Sequence, residues 1–138
     1  MVIQLKDSNT FVTSPEAVAK ILQDLLKSED SIDQDKEHFW VLHLDSRLRI
    51  KFVELISLGT LNTSLVHPRE VYTRAVSERS AQILVAHNHP SGDSEPSEDD
   101  LLMTRRLVEA GRILGIELVD HIVITSTGFT SFKEKKLI

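Results

Sequence analysis

Residues 81–100 read AQILVAHNHPSGDSEPSEDD, and this stretch decides the fold. Its opening AQILVA, residues 81–86, is apolar apart from Gln82 and free of Pro and Gly, as suits a strand covered on both faces. The strand delivers the chain straight into His87, where a loop begins, and Pro90 and Gly92 supply the turn chemistry that reverses it. Ser97 with Asp100 three residues on forms a capping pair, and the helix it opens runs to about Gly115, a fitting C-cap. Strand, loop and long helix in succession predict a sheet with helices packed on its faces. Loops just beyond strand ends are favoured positions for sites, because a rigid scaffold holds them in place.

Toward the N-terminus, Pro68 starts a helix over PREVYTRAVSERS, with Val71, Ala75 and Val76 predicted to face inward. Before it come a short strand at Leu65 and Val66 and a polar connection, TLNTS. The run LRIKFVELISLG reads as a strand ending at Gly59, and HFWVLHLD as another, joined by a hairpin turn at Asp45-Ser46-Arg47. An acidic turn, SEDSIDQDKE, separates these from TSPEAVAKILQDLLKSED. There Ser14 is the N-cap, Pro15 the first helical residue, and Val18, Ile21, Leu22, Leu25 and Leu26 recur at helical spacing. Toward the C-terminus, ELVDHIVIT is a strand, Ser126-Thr127-Gly128 a turn and FTSF a final short strand. The expectation is one α/β domain, a mixed sheet between helices, with strand order undetermined by periodicity.

Composition bounds the chemistry. The 138 residues are 41% hydrophobic and 27% charged, within the range of globular domains. Cysteine is absent, so disulfides and thiolate chemistry are excluded and any zinc site must use histidine and carboxylate ligands. No apolar run approaches membrane-spanning length and MVIQLKDSNT lacks the regions of a signal peptide, so a cytoplasmic protein without membrane association is expected. A net charge of -5 argues against general nucleic-acid binding, which needs a surplus of Lys and Arg on one face. Arg105, Arg106 and Arg112 on one predicted helix, and Lys133, Lys135 and Lys136 near the end, read as solvated groups.

His87 and His89 stand at i and i+2 in an extended segment, so both rings point the same way and can reach one ion. The turn then brings Asp100, in the first turn of the next helix, back toward them. Two imidazoles and a carboxylate are three zinc ligands, with a fourth position left for water, as in catalytic sites. A His-x-His pair alone is common. Pro-x-Gly, Ser97 and Asp100 in register make it specific. Ser97 as an N-cap and Asp100 as a complement to the helix dipole are readings compatible with these roles. His121, after Asp120 on a strand, reads first as a hydrogen-bonded core histidine and second as a partner orienting the site. His38, His43 and His67 have no ligand spacing and Trp40 is core.

The string His87-Asn88-His89-Pro90-Ser91-Gly92, with Ser97 and Asp100 at their distances, closely resembles the JAMM motif of MPN-domain metalloproteases. SLGTLNTSLVHPREVY upstream, and LVDHIVIT with Ser-Phe-Lys-Glu downstream, resemble the RadC branch of that superfamily over roughly residues 36–135. The resemblance implies a three-layer sandwich of the cytidine-deaminase-like type, Zn2+ held by His87, His89 and Asp100, oxyanion support from Ser97 and a glutamate as general base. Glu37, ahead of the strand after the first helix, is the first choice for that base; Glu54 and Glu70 are rivals. Asn88, where many JAMM proteases carry Ser or Thr, follows the RadC pattern. RadC proteins commonly carry an N-terminal helix-hairpin-helix module, for which the residues ahead of the match are too few.

Three functions compete. A peptidase or isopeptidase acting on peptides or protein conjugates is the leading one. A metal hydrolase or nuclease linked to DNA repair is the second, although the letters HNH do not make an HNH nuclease. A non-catalytic MPN-type binding domain is the third, weakened because all three ligands are kept. Zinc deaminases are excluded, since their Cys-x-x-Cys ligands do not exist here.

Overall fold

Helical and strand patterns alternate along the chain, and the computed structural model, which describes residues 1–7, 9–59 and 66–138, assembles them into three layers. In chain order the elements are β1 (Val2–Ile3), α1 (Pro15–Lys27), α2 (Ser31–Gln34), β2 (Glu37–Leu44), β3 (Ile50–Gly59), α3 (Pro68–Ser77), β4 (Gln82–Asn88), α4 (Glu98–Leu114), β5 (Glu117–Ile124) and β6 (Phe129–Ser131). The six strands form one mixed sheet in the order β1-β3-β2-β4-β5-β6. β4 runs antiparallel to β2 and parallel to β5, with α4 as the crossover between the parallel pair.

Each face of the sheet has its own core. Val18, Ala19 and Leu22 of α1 pack on Trp40, Leu42, Leu84, Ala86, Ile122 and Ile124. On the other face Val71, Tyr72 and Ala75 of α3, with Met103 and Leu107 of α4, pack on Phe39, Val41, Ile83, Val85 and Leu118. The strands buried on both sides carry the continuous apolar runs seen in the sequence. Caps mark the helices as expected: Ser14 Oγ accepts from Ala17 N, and Gly115 closes α4 at φ 73°. Two short elements, β1 and α2, stand where no strand or helix was predicted.

Two expectations are corrected. Val76 is 53% exposed, and Tyr72 takes the inward position on α3, donating its hydroxyl to Leu107 O at 2.8 Å. β4 continues past Ala86 through Asn88, because His87 pairs with Phe39 on one side and Val123 on the other. His87 is thus part of the sheet, not of the loop. The polar connection and Leu65 of the short strand expected at Leu65 and Val66 lie outside the described residues, and Val66 is in a turn.

Regular alternation fails at one place that matters. Between Ile83↔Leu118 and Val85↔His121, β4 advances two residues and β5 three. The extra residue is a β-bulge, and it re-phases every side chain after it. Leu118 and His121, which strict alternation would put on opposite faces, both meet α4.

Candidate metal centre

The site is built where β4 ends beside the start of α4. His87, on the α4 face of β4, is fully buried and stacks on Phe39 with ring centroids 6.2 Å apart. His89 lies just beyond the strand. Its N–H donates to Ile124 O at 2.9 Å, its carbonyl accepts from Gly92 N at 3.1 Å, and its Nδ1–H donates to Asp93 O at 2.8 Å. A carbonyl can only accept, so the neutral His89 ring keeps its Nε2 lone pair for the site. Gly92 makes this turn at φ 91°, a conformation that an L side chain rarely adopts. Thr130 Oγ1 donates to Ser94 Oγ at 2.9 Å and ties the loop to β6.

Asp100 is placed by the capping box of α4. Ser97 Oγ accepts from Asp100 N at 3.1 Å, and Ser97 N–H donates to Asp100 Oδ2 at 2.9 Å. That same oxygen stands 3.3 Å from His87 Nε2 and 3.4 Å from His89 Nε2, and the two ring nitrogens are 3.0 Å apart. Donors bound tetrahedrally at zinc distances of roughly 2.0–2.1 Å are separated by about 3.3 Å, so this triangle fits the three protein corners of such a site. Three potential ligand atoms packed this closely need a cation among them, either a proton or a metal ion.

The electrostatics agree. Burial works against the Asp100 charge, yet the hydrogen bonds possible with His87 and His89 when a proton is shared among the three outweigh it and hold the carboxyl well below the usual carboxylate range. The bond to Asp100 raises the pKa of His89 against the opposing effect of burial, and the Glu37 charge adds to the rise. His121 is buried behind His87, with its Nε2 2.8 Å from His87 Nδ1 and its Nδ1 2.6 Å from Thr104 Oγ1. Burial, then the adjacent His87 ring, push its pKa well down, so the ring is neutral. His121 is a hydrogen-bonded core histidine, the first reading from sequence, and its contact with His87 leaves room for the second.

The three glutamates separate cleanly. Glu37 opens β2 two residues before Phe39, the partner of His87, and lines an open cleft with His89 and Pro90. Glu54 is committed elsewhere: Oε1 accepts from His43 Nε2 at 3.0 Å and Oε2 from Arg74 Nε at 3.2 Å. Glu70 is exposed on α3, 3.8 Å from Arg69. Ser97, exposed at the N-cap, adjoins the site through its box with Asp100. The other histidines are structural: His38 bonds Lys36 O and Glu29, and His67 caps α3 by accepting from Arg69 N.

A mixed sheet between helices, with a His-x-His pair at a strand end and an aspartate from the next helix, defines a JAB-type α/β domain with a site able to hold one metal ion. The chain belongs to the RadC family: the model of the RadC-like JAB domain matches residues 12–137. It is 43% identical over 132 residues to the UPF0758 protein of Desulforamulus reducens, covering 96% of this chain and 56% of that one. Identity is 44% over 131 residues to the UPF0758 protein of Moorella thermoacetica (95% and 55% covered). It is 40% over 127 residues to that of Methanosarcina mazei (92% and 53%). The chain therefore spans about half the length of the curated relatives it matches. No helix among the described residues is long and apolar enough to cross a membrane.

Proposed function

We propose that this domain is a zinc-dependent hydrolase of the JAMM type that cleaves peptide or isopeptide bonds, with His87, His89 and Asp100 as the ligands. The convergence of two imidazole nitrogens and a carboxylate oxygen at 3.0–3.4 Å, beside a cleft that also holds Glu37, carries this reading. When bound there, zinc supplies Lewis acidity, polarising a carbonyl and lowering the pKa of water toward about 7. The chain supplies the rest. The Glu37 carboxylate accepts the proton of the attacking water and passes it to the leaving amine. The Ser97 hydroxyl, whose oxygen accepts from Asp100 N, keeps its own proton to donate to the developing oxyanion. Pro90, on the cleft wall beside Glu37, packs against the substrate.

A polyanionic substrate fits less well. Asp93, Glu95, Glu98 and Asp99 are exposed in the segment that leads from His89 to Asp100, and their charges repel phosphates at the lip of the site. The test is hydrolysis of a panel of internally quenched peptides and lysine isopeptides by the Zn2+-loaded protein. A chelator abolishes turnover, and Glu37→Gln lowers kcat by about 10²–10⁴-fold while leaving Zn2+ affinity in place. Full turnover by His89→Ala would remove the metal from the mechanism; full turnover by Glu37→Gln would remove Glu37 as the base.

A further inference from the structure

A closed ring of contacts joins the two elements that carry the ligands. Thr104 lies one helical turn after Asp100 on α4, and its Oγ1 is 2.6 Å from Asp100 O and 2.6 Å from His121 Nδ1. His121 Nε2 is 2.8 Å from His87 Nδ1, and His87 Nε2 returns to Asp100 Oδ2 at 3.3 Å. All four residues are buried.

The proton on each of these bonds can be assigned from chemistry alone. Asp100 O is a backbone carbonyl and only accepts, so the single Thr104 hydroxyl proton goes to it. Thr104 Oγ1 can then only accept from His121, which places a proton on His121 Nδ1. A neutral imidazole carries one N–H, so His121 Nε2 is an acceptor, and His87 must donate to it from Nδ1. The remaining nitrogen of His87, Nε2, is left with a lone pair aimed at His89 and Asp100. Reversing any link leaves two donors or two acceptors in contact inside the protein.

We propose that His121, polarised by Thr104, is the positioning residue that fixes which nitrogen of His87 faces the metal and couples the aspartate on α4 to the histidine on β4. This rests on the metal reading given above. An imidazole is unusual in a place where carboxylates and carbonyls are the common partners of metal-bound histidines. Here it works because Thr104 takes up the His121 proton that would otherwise oppose His87. The ring also packs as an aromatic: it stacks on Phe132 at 4.4 Å and meets Phe39 edge-on at 6.0 Å.

The experiment has two readouts on the whole chain. Long-range 1H–15N spectra of the histidine rings, recorded without metal and with one equivalent of Zn2+, report the tautomers, and competition with a chromophoric chelator reports Zn2+ affinity. His121 is expected as the neutral Nδ1–H tautomer in both states. His121→Phe keeps the stacking but removes the acceptor, and its Zn2+ affinity is expected to fall about 10–100-fold. His121→Gln places an amide oxygen near the Nε2 position and is expected to recover most of that loss. Thr104→Val leaves every ligand in place, releases His121 to its other tautomer and weakens Zn2+ binding by less than His121→Phe does. A wild-type His121 protonated on Nε2, or a folded His121→Phe that binds Zn2+ as wild type does, overturns the proposal. Should His121→Phe fail to fold, the wild-type tautomer and the Thr104→Val affinity decide. A wild-type chain that binds no Zn2+ defeats the metal reading instead, and the tautomer in the metal-free chain still tests the relay.

Discussion

Two buried histidine–acid clusters share the α3/α4 side of this domain, and they differ in where their protons point. In one, His43 lies between Glu54 at 3.0 Å and Ser80 Oγ at 2.9 Å, and Arg74 completes Glu54 at 3.2 Å. Each contact there joins a donor to an acceptor: Nε2–H to carboxylate, hydroxyl to Nδ1, guanidinium to carboxylate. In the other, the outer contacts of His87 and His89 consume their Nδ1 protons and leave lone pairs facing Asp100. Each sets a fully buried histidine against a buried carboxylate. Proton direction makes one a strut and leaves the other able to take up a cation.

The difference can be broken most forcefully at a ligand. His89→Ala is expected to cost more Zn2+ affinity than the roughly 100-fold that loss of an outer partner can cost, measured by chelator competition. Its stability without metal should change little, since the side chain is 20% exposed. Zn2+ itself should stabilise the wild type by about 2.7 kcal/mol at one hundred times its Kd and leave His89→Ala unmoved, a contrast read from urea denaturation. In the strut the pattern inverts. Glu54→Ala strands His43 and Arg74 and is expected to lower stability by about 1–3 kcal/mol with Zn2+ affinity unchanged.

Ser97 belongs to both halves of the comparison, since it caps a helix and braces a ligand. Ser97→Ala is expected to cost about 1 kcal/mol in urea denaturation, and Ser97→Thr to restore it. The smallest effect is one of pH. Burial works against the Glu54 charge, but the bonds from His43 and Arg74 outweigh it and hold the carboxyl below its ordinary value of 4.5. The folded value is the lower one, so this contribution is complete above pH 4.5 and fades as pH falls through the folded value. In acid denaturation of the metal-free chain, Glu54→Gln should therefore lose less stability than wild type across that window.

Most of the architecture was legible because caps and patterns agreed. Ser14-Pro15, the two-sided apolar runs of β2 and β4, and the Ser97–Asp100 box each place an element from local chemistry alone. β1 and α2 were not legible, because two strand residues and one helical turn are too short to show a period. Val76 illustrates a different failure: it shares an apolar arc with Ala75, but Tyr72 fills the groove against α4 and finds an acceptor at Leu107 O. The convergence of His87, His89 and Asp100 was readable from spacing, since strand and turn geometry act over a few residues. His121 is core, as read, but its contact with His87 was not legible because it depends on the bulge in β5, which no alternation rule anticipates. Glu37 was the first choice from its place ahead of the strand, and its position beside the site rests on the register of β2 on β4, which the sequence does not display.

The strand that ends at Asn88 puts two ligands only one residue apart under different regimes of motion. His87 is clamped between β2 and β5, and its backbone opens only when the centre of the sheet does. His89 hangs on a short turn, and Asp100 on a helix terminus, which are the parts of a fold that fluctuate at lowest cost. An ion captured here would therefore exchange through movements of the 89–97 loop while His87 stays fixed. A metal held there would be gained and lost without unfolding, at a rate set by the loop and not by the stability of the core.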